Sequence, residues 1–369
     1  MSSSSQANCL IAGAGPVGLT LAYLLGTSGV RVTIVEKDPA LQKDYRASTF
    51  HAATLDLLEP YGISQPLIER GIKCPIVQYR TWSDGVIATL DHALIEDETR
   101  HPYRLQCEQF KLSEWLLGAL EKIPNVEVRY GWELTGFTMA DDAVTATVTD
   151  GRSPRQETYS YLFGADGGRG VTRRILDIAF EGFTYPERIL VLGTRADLSQ
   201  LIPGLASVNY LQAIESDYIR SRVEPLIAGF DARDIAVKKV YAVHQRVAAA
   251  YGRGRALLVG DAAHLNNPKG GMGLNGGLHD AVSLFRHLTG HWDDPAMVLS
   301  LYEAQRRPEA IQAIHKHTQA NYNALKGVNV SREALVARWQ ELERDKDAQR
   351  RFLLDASMLS SVRRCGLLT

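Results

Sequence analysis

The stretch Arg255-Ala-Leu-Leu-Val-Gly260-Asp261-Ala-Ala-His264, followed by Gly270-Gly-Met-Gly-Leu-Asn-Gly-Gly277, decides the fold of this chain. Its apolar run predicts a buried strand that ends at a carboxylate, and the glycines predict a loop and a helix start. Near the N-terminus, Gly13-x-Gly15-x-x-Gly18 has the same order of strand, glycines and helix. A chain that builds one nucleotide site from two such distant segments is expected to hold a large, two-ended cofactor.

The N-terminal motif has a glycine at each position where a dinucleotide site requires one. Gly13 permits a tight turn, Gly15 lets the backbone approach a pyrophosphate, and Gly18 allows close packing of the helix. The helix start at Pro16 and Val17 supplies amide donors and a positive dipole for phosphates.

Glu36 ends the predicted second strand about 20 residues after Gly15, where a carboxylate can accept ribose hydroxyls, and Lys37 follows it. NAD enzymes use the same fingerprint, and a glycine-rich turn without a ligand is the other alternative. The downstream glycine motif favours FAD.

Length and charge limit the class of protein. The 369 residues suffice for a sizeable core, in two domains or in one large α/β unit. A formal net charge of −1 predicts neither a nucleic-acid partner nor a stable membrane association. No charged side chain precedes Arg31, but Met1–Gln6 lacks the basic segment of a signal peptide, and glycines interrupt the apolar run.

The cysteines are far apart and show no CxxC spacing, so neither a disulfide framework nor a metal site is expected. A reducing compartment, the cytoplasm, is therefore predicted. The four residues are Cys9, Cys74, Cys107 and Cys365.

Hydrophobic patterns predict several elements directly. The sequence predicts strands at Asn8–Ala12, Val30–Glu36, Val126–Tyr130, Val144–Thr149 and Glu157–Phe163, and helices at Pro16–Leu25 and Gln109–Lys122. Residues from about Phe180 to Val247 are less periodic and are assigned to a substrate region. From Gly277 onward the pattern is mostly helical.

Three signatures in order resemble the FAD-dependent aromatic hydroxylases, the para-hydroxybenzoate hydroxylase-like flavoprotein monooxygenases. They are Gly13-Ala-Gly15-Pro-Val-Gly18 with Glu36, Gly164-Ala-Asp166-Gly167 with Arg173, and Gly260-Asp261-Ala-Ala-His264. Together they frame residues from about Ala7 to Leu288. The resemblance implies FAD as cofactor, NADPH or NADH as reductant, and hydroxylation of a phenol or related small aromatic by dioxygen through a flavin C4a-hydroperoxide.

The resemblance also implies an α/β fold with a Rossmann-type FAD-binding domain, an inserted β-sheet substrate domain and a helical C-terminal region. The expected FAD-binding segments are residues 1–75, 105–180 and 250–300, the substrate segments are 76–104 and 181–249, and the C-terminal region is 301–369. The tract Val208–Val237 is short compared with the family, which predicts a shortened substrate sheet. Oligomeric state is left open.

Two positions after the first motif are assigned cofactor contacts by the resemblance. Arg46 is expected to pair with the pyrophosphate, since an arginine there makes a charge-assisted contact. Gln109, at a helix start, is expected to face the cofactor. The alternatives are a solvated surface arginine and an ordinary helix-start residue.

Asp166 is expected near the flavin and the pyridine nucleotide, a β-turn aspartate being its alternative. The chain departs from the family here: Gly170 stands where a serine is common, and Thr172 where a valine is common. This departure puts the nicotinamide role in doubt.

The last motif implies contacts along the flavin itself. Asp261 is expected to accept hydrogen bonds from ribityl or ribose hydroxyls, and Pro268 to face the isoalloxazine ring. Backbone amides within Gly270–Gly277 are expected at its pyrimidine edge, where a helix dipole stabilises anionic reduced flavin. The other residues of this motif that are assigned to cofactor binding are Gly260, Gly271, Gly273, Leu274 and Asn275.

No catalytic residue is assigned. His264 is expected to pack or hydrogen-bond beside the flavin rather than act as a base, and His244, Gln245 and Arg246 are interpreted as a charged strand face. Candidates for orienting a phenol are His51, Tyr185, Tyr210 and Tyr218. Two other functions stay open: another flavin oxidoreductase on this scaffold, such as a prenyl-lipid reductase or epoxidase, and a flavin-binding protein with little or uncoupled activity.

Overall fold

The computed structural model describes residues 7–43, 47–81, 85–194, 235–268, 270–315 and 332–368. In chain order the strands are β1 (Asn8–Ala12), β2 (Arg31–Glu36), β3 (Thr49–Phe50), β4 (Ile72–Cys74), β5 (Ile76–Thr81), β6 (Gly85–Asp91), β7 (Arg104–Gln106), β8 (Val126–Tyr130), β9 (Glu133–Met139), β10 (Val144–Thr149), β11 (Pro154–Tyr159), β12 (Tyr161–Gly164), β13 (Phe180–Thr194), β14 (Ile235–Ala248), β15 (Gly252–Arg253), β16 (Ala256–Leu258) and β17 (His264–Leu265).

The α-helices are α1 (Pro16–Thr27), α2 (Ala52–Leu58), α3 (Ser64–Arg70), α4 (Gln109–Leu120), α5 (Val171–Ile175), α6 (Met272–His291), α7 (Pro295–Glu309), α8 (Arg332–Arg344), α9 (Lys346–Ala356) and α10 (Leu359–Arg364). Short 3-10 turns lie at Glu59–Tyr61, His92–Ile95 and Gly260–Ala262, and a π-helical turn at Ala310–His315 continues α7. Within the described ranges, no helix combines the length and apolar content that crossing a bilayer requires.

A six-stranded sheet with the order β15-β16-β12-β1-β2-β8 forms the centre of the fold. Its strands pair in parallel except at the edge, where β15 runs antiparallel to β16. The middle strand is buried at Cys9, Leu10 and Ile11, as expected of a parallel strand covered on both faces. The predicted α/β fold with a Rossmann-type sheet is confirmed.

Several predicted element bounds agree with the structure. The strands at Asn8–Ala12, Val126–Tyr130 and Val144–Thr149 match residue for residue, and the first helix extends to Thr27. The single strand predicted at Glu157–Phe163 is wrong, because the chain passes there from one sheet to another.

Ser160 is the residue at which that change occurs. Its amide donates to the Asn8 carbonyl and to Asn8 Oδ1, at 2.9 and 3.0 Å. As a result β11 stays in the antiparallel sheet β11-β10-β9, while β12 joins the parallel sheet beside β1.

The region assigned to the substrate contains long strands rather than irregular chain. β13 and β14, of 15 and 14 residues, pair antiparallel, and β17 adds to β14. A two-stranded sheet, β5-β6, and a small sheet, β3-β7-β4, complete the described strands. The short tract Val208–Val237 lies outside the described residues except for its last three, which begin β14, so the possible shortening and the predicted domain limits stay predictions.

Candidate functional site

The turns that follow β1, β12 and β16 meet at one edge of the central sheet. The Ala165 amide donates to the Ala12 carbonyl at 2.8 Å, and the Val259 amide donates to the Gly164 carbonyl at 3.0 Å. The Gly13 amide donates to the Val35 carbonyl at 2.8 Å, which ties the end of β2 to the same edge. Ligands of open α/β sheets bind at this carboxyl end of the strands.

The turn after β1 requires glycine at Gly13 and Gly18, the two positions where the backbone comes closest to its neighbours. Gly13 has a φ of 104°, and a Cβ there would lie 2.4 Å from the Ala165 carbonyl oxygen. A Cβ on Gly18 would lie 2.1 Å from the Gly13 carbonyl oxygen, which is the close helix packing that the sequence predicts. By contrast, a Cβ on Gly15 would meet nothing within 4 Å, so its backbone faces open space.

The start of α1 is left without a cap from the protein. Gly15 is the N-cap and provides no side-chain hydrogen bond, Pro16 follows it, and the first turn carries no acidic residue. The free amides and the positive end of the helix dipole therefore favour an anionic ligand, such as a phosphate, at this point.

Glu36 lies beside this turn at the end of β2. Its Oε2 accepts from the Ala14 amide at 2.9 Å and its Oε1 from the Asp38 amide at 3.0 Å. These bonds fix the carboxylate next to the glycine turn, and its contact with a ribose stays a prediction. Lys37 is exposed.

The start of α6 has the same uncapped form. Gly271, with a φ of 68°, is its N-cap without a side-chain hydrogen bond, and the first turn carries no acidic residue. The amides of Met272, Gly273 and Leu274 are the donors that such a helix start leaves unbonded.

Asn275 holds this helix start in place. Its Oδ1 accepts from the His51 amide at 3.0 Å and from the Thr54 hydroxyl at 2.6 Å. Its Nδ2 donates to the carbonyls of Thr49 and Gly271 at 2.8 and 2.6 Å. Because the side chain is committed to these partners, a cofactor contact predicted at Asn275 would have to come from its backbone.

The two glycine-rich segments meet at Val17. A Cβ on Gly277 would lie 2.7 Å from Val17 Cγ2, and a Cβ on Gly260 would lie 3.1 Å from the same atom. The starts of α1 and α6 are therefore parts of one cradle, as the sequence predicts from their shared pattern.

Asp166 shows why the chain departs from the family at two neighbouring positions. Its Oδ2 accepts from both the amide and the hydroxyl of Thr172, each at 2.9 Å. A Cβ on Gly170 would lie only 2.0 Å from Asp166 Oδ1. The threonine thus supplies a hydroxyl donor to the carboxylate, and the glycine leaves the room that this arrangement needs.

Asp166 Oδ1 is buried and has no hydrogen-bond partner among the described residues, and burial raises the pKa of this carboxyl. Arg173 closes the motif by donating to the carbonyls of Ala262 and Gly168 at 3.0 and 2.9 Å. It therefore links the Asp166 turn to the Asp261 turn.

A buried charge network below the last motif was not predicted. Asp280 accepts from His264 Nε2 and Arg306 Nε, both at 2.8 Å, and from the Gly260 amide at 3.1 Å. Burial opposes ionisation of Asp280, but its two partners outweigh this effect and lower its pKa. His264 thus makes a hydrogen bond, to Asp280, and its place beside the flavin stays a prediction. An acidic residue inside an apolar helix pattern was the only signal for Asp280.

Asp261 is the exposed residue of the 3-10 turn Gly260–Ala262, which this network holds from below. Pro268 opens the turn into α6, where its carbonyl accepts from the Gly271 amide at 3.0 Å. Gln109 begins α4, and the described part of the chain offers its side-chain amide no hydrogen-bond partner. Arg46 lies outside the described residues.

Only two of the side chains proposed to orient a phenol can be placed. Tyr185 is buried and donates to Gln245 at 2.8 Å, and His51 Nε2 lies 2.8 Å from the Gly270 carbonyl oxygen. Tyr210 and Tyr218 lie outside the described residues. His244 and Arg246 bond within the β13–β14 sheet, as a strand face would.

These features fit an elongated, anionic dinucleotide. The open backbone at Gly15 and the uncapped start of α1 suit a pyrophosphate, Glu36 suits a ribose, and the uncapped start of α6 suits the electron-rich edge of a flavin. The fold and the site together define a dinucleotide-binding flavoprotein.

Comparison with known proteins agrees with this class. The family model FAD_binding_3, described as an FAD binding domain, matches residues 6–230 and 227–317. A para-nitrophenol 4-monooxygenase of Pseudomonas sp. (strain WBC-3) is 28% identical, with 96% of each chain covered. The 6-hydroxy-3-succinoylpyridine 3-monooxygenase HspB of Pseudomonas putida (strain DSM 28022 / S16) is 30% identical, with 87% of this chain and 90% of its own covered.

The crystal structure of the p-nitrophenol 4-monooxygenase PnpA from Pseudomonas putida DLL-E4 has a TM-score of 0.87 at 26% identity, covering 97% of this chain and 99% of its own. The chain belongs to the FAD_binding_3 family, and it is an FAD-dependent monooxygenase of the aromatic hydroxylase type. The predicted family, cofactor and enzyme class are confirmed.

Proposed function

We propose that the protein uses NADPH or NADH and dioxygen to hydroxylate a small phenolic or related aromatic compound. The observation that carries the proposal is the single cradle formed at Val17 by the starts of α1 and α6. The relatives that match nearly the whole chain are named for hydroxylation of a nitrophenol and a hydroxypyridine, which supports a monocyclic substrate.

When bound, FAD would accept a hydride from the reductant and activate dioxygen for transfer of one oxygen atom. The chain's own residues bind, orient and stabilise. The amides at the start of α1 and Glu36 would hold the adenosine half, and Asp261 would accept hydrogen bonds from hydroxyls of the central chain.

At the other end, the amides of Met272, Gly273 and Leu274 would donate to the pyrimidine edge. Fixed positive dipoles of this kind stabilise negative charge without reorganising during the reaction. The network of Asp280, His264 and Arg306 holds the turn at Gly260 against α6. Asp280, in α6, accepts hydrogen bonds from the Gly260 amide and from Arg306 Nε.

The test is oxidation of NADPH and of NADH by the FAD-loaded protein, measured over a panel of phenols together with product and hydrogen peroxide. Stimulation by one phenol with a matching yield of hydroxylated product is expected. No stimulation by any member of the panel, in a protein that retains FAD, would contradict the proposal and favour a binding protein. Stimulation with peroxide alone would indicate an effector rather than a substrate.

A further inference from the structure

Arg104, in β7, is a charged side chain to which the described residues supply no counter-charge. Its Nε is buried without a hydrogen-bond partner, and in the described ranges its guanidinium takes part in no hydrogen bond or ion pair. The titratable side chains beside it are Tyr79 and Cys74, a phenol and a thiol, and neither is a carboxylate. The residue as a whole is half-buried. Charges withdrawn from water in proteins are normally paired, and arginine does not escape by losing its proton.

The strand places Arg104 on the face that looks toward the flavin cradle. Leu105 is fully buried in the core on one face of β7, so Arg104 and Gln106 share the other face. Gln106 Oε1 accepts from the Thr49 hydroxyl at 3.2 Å, and a Cβ on Gly271 would lie 3.1 Å from Thr49 Cβ. Two strand residues span about 7 Å, so Arg104 lies about that far along the same face of β7 from Gln106, the residue that bonds to Thr49.

The neighbours of Arg104 suit an aromatic anion. Tyr79 stacks on Trp339 of α8 with ring centroids 3.4 Å apart, so an aromatic wall stands beside the guanidinium. His92 Nδ1 lies 2.8 Å from the Pro75 carbonyl oxygen and must donate to it, which leaves Nε2 as a buried acceptor without a partner among the described residues. Burial, and then the charge of Arg104, lower the pKa of His92 to about 4, so His92 adds no competing charge near neutral pH.

We propose that Arg104 anchors an anionic substituent of the aromatic substrate, a carboxylate or an ionised phenol, with the ring extending toward the start of α6. The proposal rests on the proposed function for the identity of the ligand as a substrate. A planar guanidinium donates two parallel hydrogen bonds to a carboxylate, which gives orientation as well as affinity, and it makes a charge-assisted hydrogen bond to the single oxygen of an ionised phenol. The substrate class is thereby narrowed to aromatic compounds that carry a negative charge at the pH of the reaction.

The test measures binding by calorimetry on the FAD-loaded protein at pH 8, with two pairs of ligands of matched shape. One pair is benzoate and benzamide, and the other is 4-nitrophenolate and 4-nitroaniline. The wild type is expected to prefer the anion in at least one pair, and the preferred pair distinguishes a carboxylate from a phenolate. Arg104→Gln is expected to weaken binding of that anion by about ten- to a hundredfold while leaving its neutral partner unchanged.

Two further variants keep the test decisive. Arg104→Lys retains the charge but not the paired donors of the guanidinium, so it should show an intermediate preference for the anion. This variant carries the test if the protein with Arg104→Gln fails to fold. Arg100→Gln, at an exposed arginine paired with Glu59 at 3.0 Å, is the matched control and should retain the full preference. An anion preference that Arg104→Gln leaves intact would overturn the proposal, and so would a wild type that prefers neither anion. Because binding needs no turnover, these outcomes are independent of whether any phenol is hydroxylated.

Discussion

Asp261 and His264 lie three positions apart in one motif, but they differ in burial and therefore in structural role. Asp261 is exposed on a short turn at the sheet edge, whereas His264 is buried against Asp280. Asp261 therefore lies at the surface of the sheet edge, where it is predicted to meet the cofactor, and His264 supports the turn from below.

We expect Asp261→Ala to weaken FAD affinity more than His264→Ala does. Loss of a charged acceptor to a hydroxyl costs about 1.5–3 kcal/mol, roughly ten- to a hundredfold in affinity. His264→Ala leaves Asp280 bonded to Arg306 and to the Gly260 amide, so its main effect should be on stability. Titration of apo-protein with FAD checks this, and wild-type affinity for Asp261→Ala would refute the assignment.

Gly170 should not tolerate a side chain, since a Cβ would meet the Asp166 carboxylate at 2.0 Å. We expect Gly170→Ala to lower the free energy of unfolding by about 1–3 kcal/mol, the range for overpacking a filled site. Gly118→Ala is the control, because a Cβ there meets nothing within 4 Å and lies inside helix α4. Urea unfolding should show that control unchanged or slightly stabilised; equal behaviour of the two variants would contradict the crowding at Asp166.

His92 should make the protein sensitive to mild acid. Its pKa is lowered from 6.5 to about 4 by burial and by Arg104, so the unfolded chain binds a proton that the folded chain refuses. The contribution of neutral His92 to the free energy of unfolding is then fully present above about pH 6.5. This contribution is lost as the pH falls toward 4, by about 3 kcal/mol in total. His92→Asn should flatten this part of the profile in denaturant unfolding at pH 6.5 and 4.5; a loss as steep as that of the wild type would contradict it.

Among the elements, the contact between α1 and α6 is the one that completes the cofactor cradle. It depends on the absence of a side chain at Gly277, opposite Val17. We expect Gly277→Ala to destabilise the protein and weaken FAD binding, and Val17→Ala to relieve part of that damage by removing the opposing methyl groups. A double-mutant cycle should give a coupling of about 0.5–3 kcal/mol, and strict additivity of the two substitutions would show that these helices do not meet there.

Local sequence patterns were enough to predict the elements whose limits depend only on neighbouring residues. β1, β8 and β10 are apolar or alternating runs bounded by turns, so their limits could be predicted. The division of the strand at Ser160 could not, because it depends on Asn8, far away in the sequence. Asp280 and Arg306 were missed for the same reason, since each reads alone as a surface charge on a helix and only the fold pairs them.

The same distinction applies to the site. The glycines and Glu36 follow a motif whose spacing reflects phosphate and ribose geometry, so their places at the sheet edge could be predicted. Arg104 carries no motif, and its significance appears only once the fold has buried its Nε without a hydrogen-bond partner among the described residues.

For the whole molecule, we expect one non-covalent FAD per chain and a melting temperature that rises with free FAD. Binding to the folded state alone adds about 2.7 kcal/mol at a ligand concentration of 100 times Kd. The measurements are flavin absorbance after denaturation and thermal melts with FAD or NAD. Protection by NAD and none by FAD would contradict the cofactor assignment for this site.

The wedge of Val17 between Gly260 and Gly277 also bears on how the protein is made. Synthesis proceeds from the N-terminus, so the first glycine turn leaves the ribosome long before its opposite wall exists. The nascent chain can close the cradle only after α6 has emerged, and Asp280 gains its arginine only with α7. Flavin capture is therefore expected late in synthesis, and a chain that ended before α6 would carry the fingerprint of a flavoprotein without the second wall of its cradle.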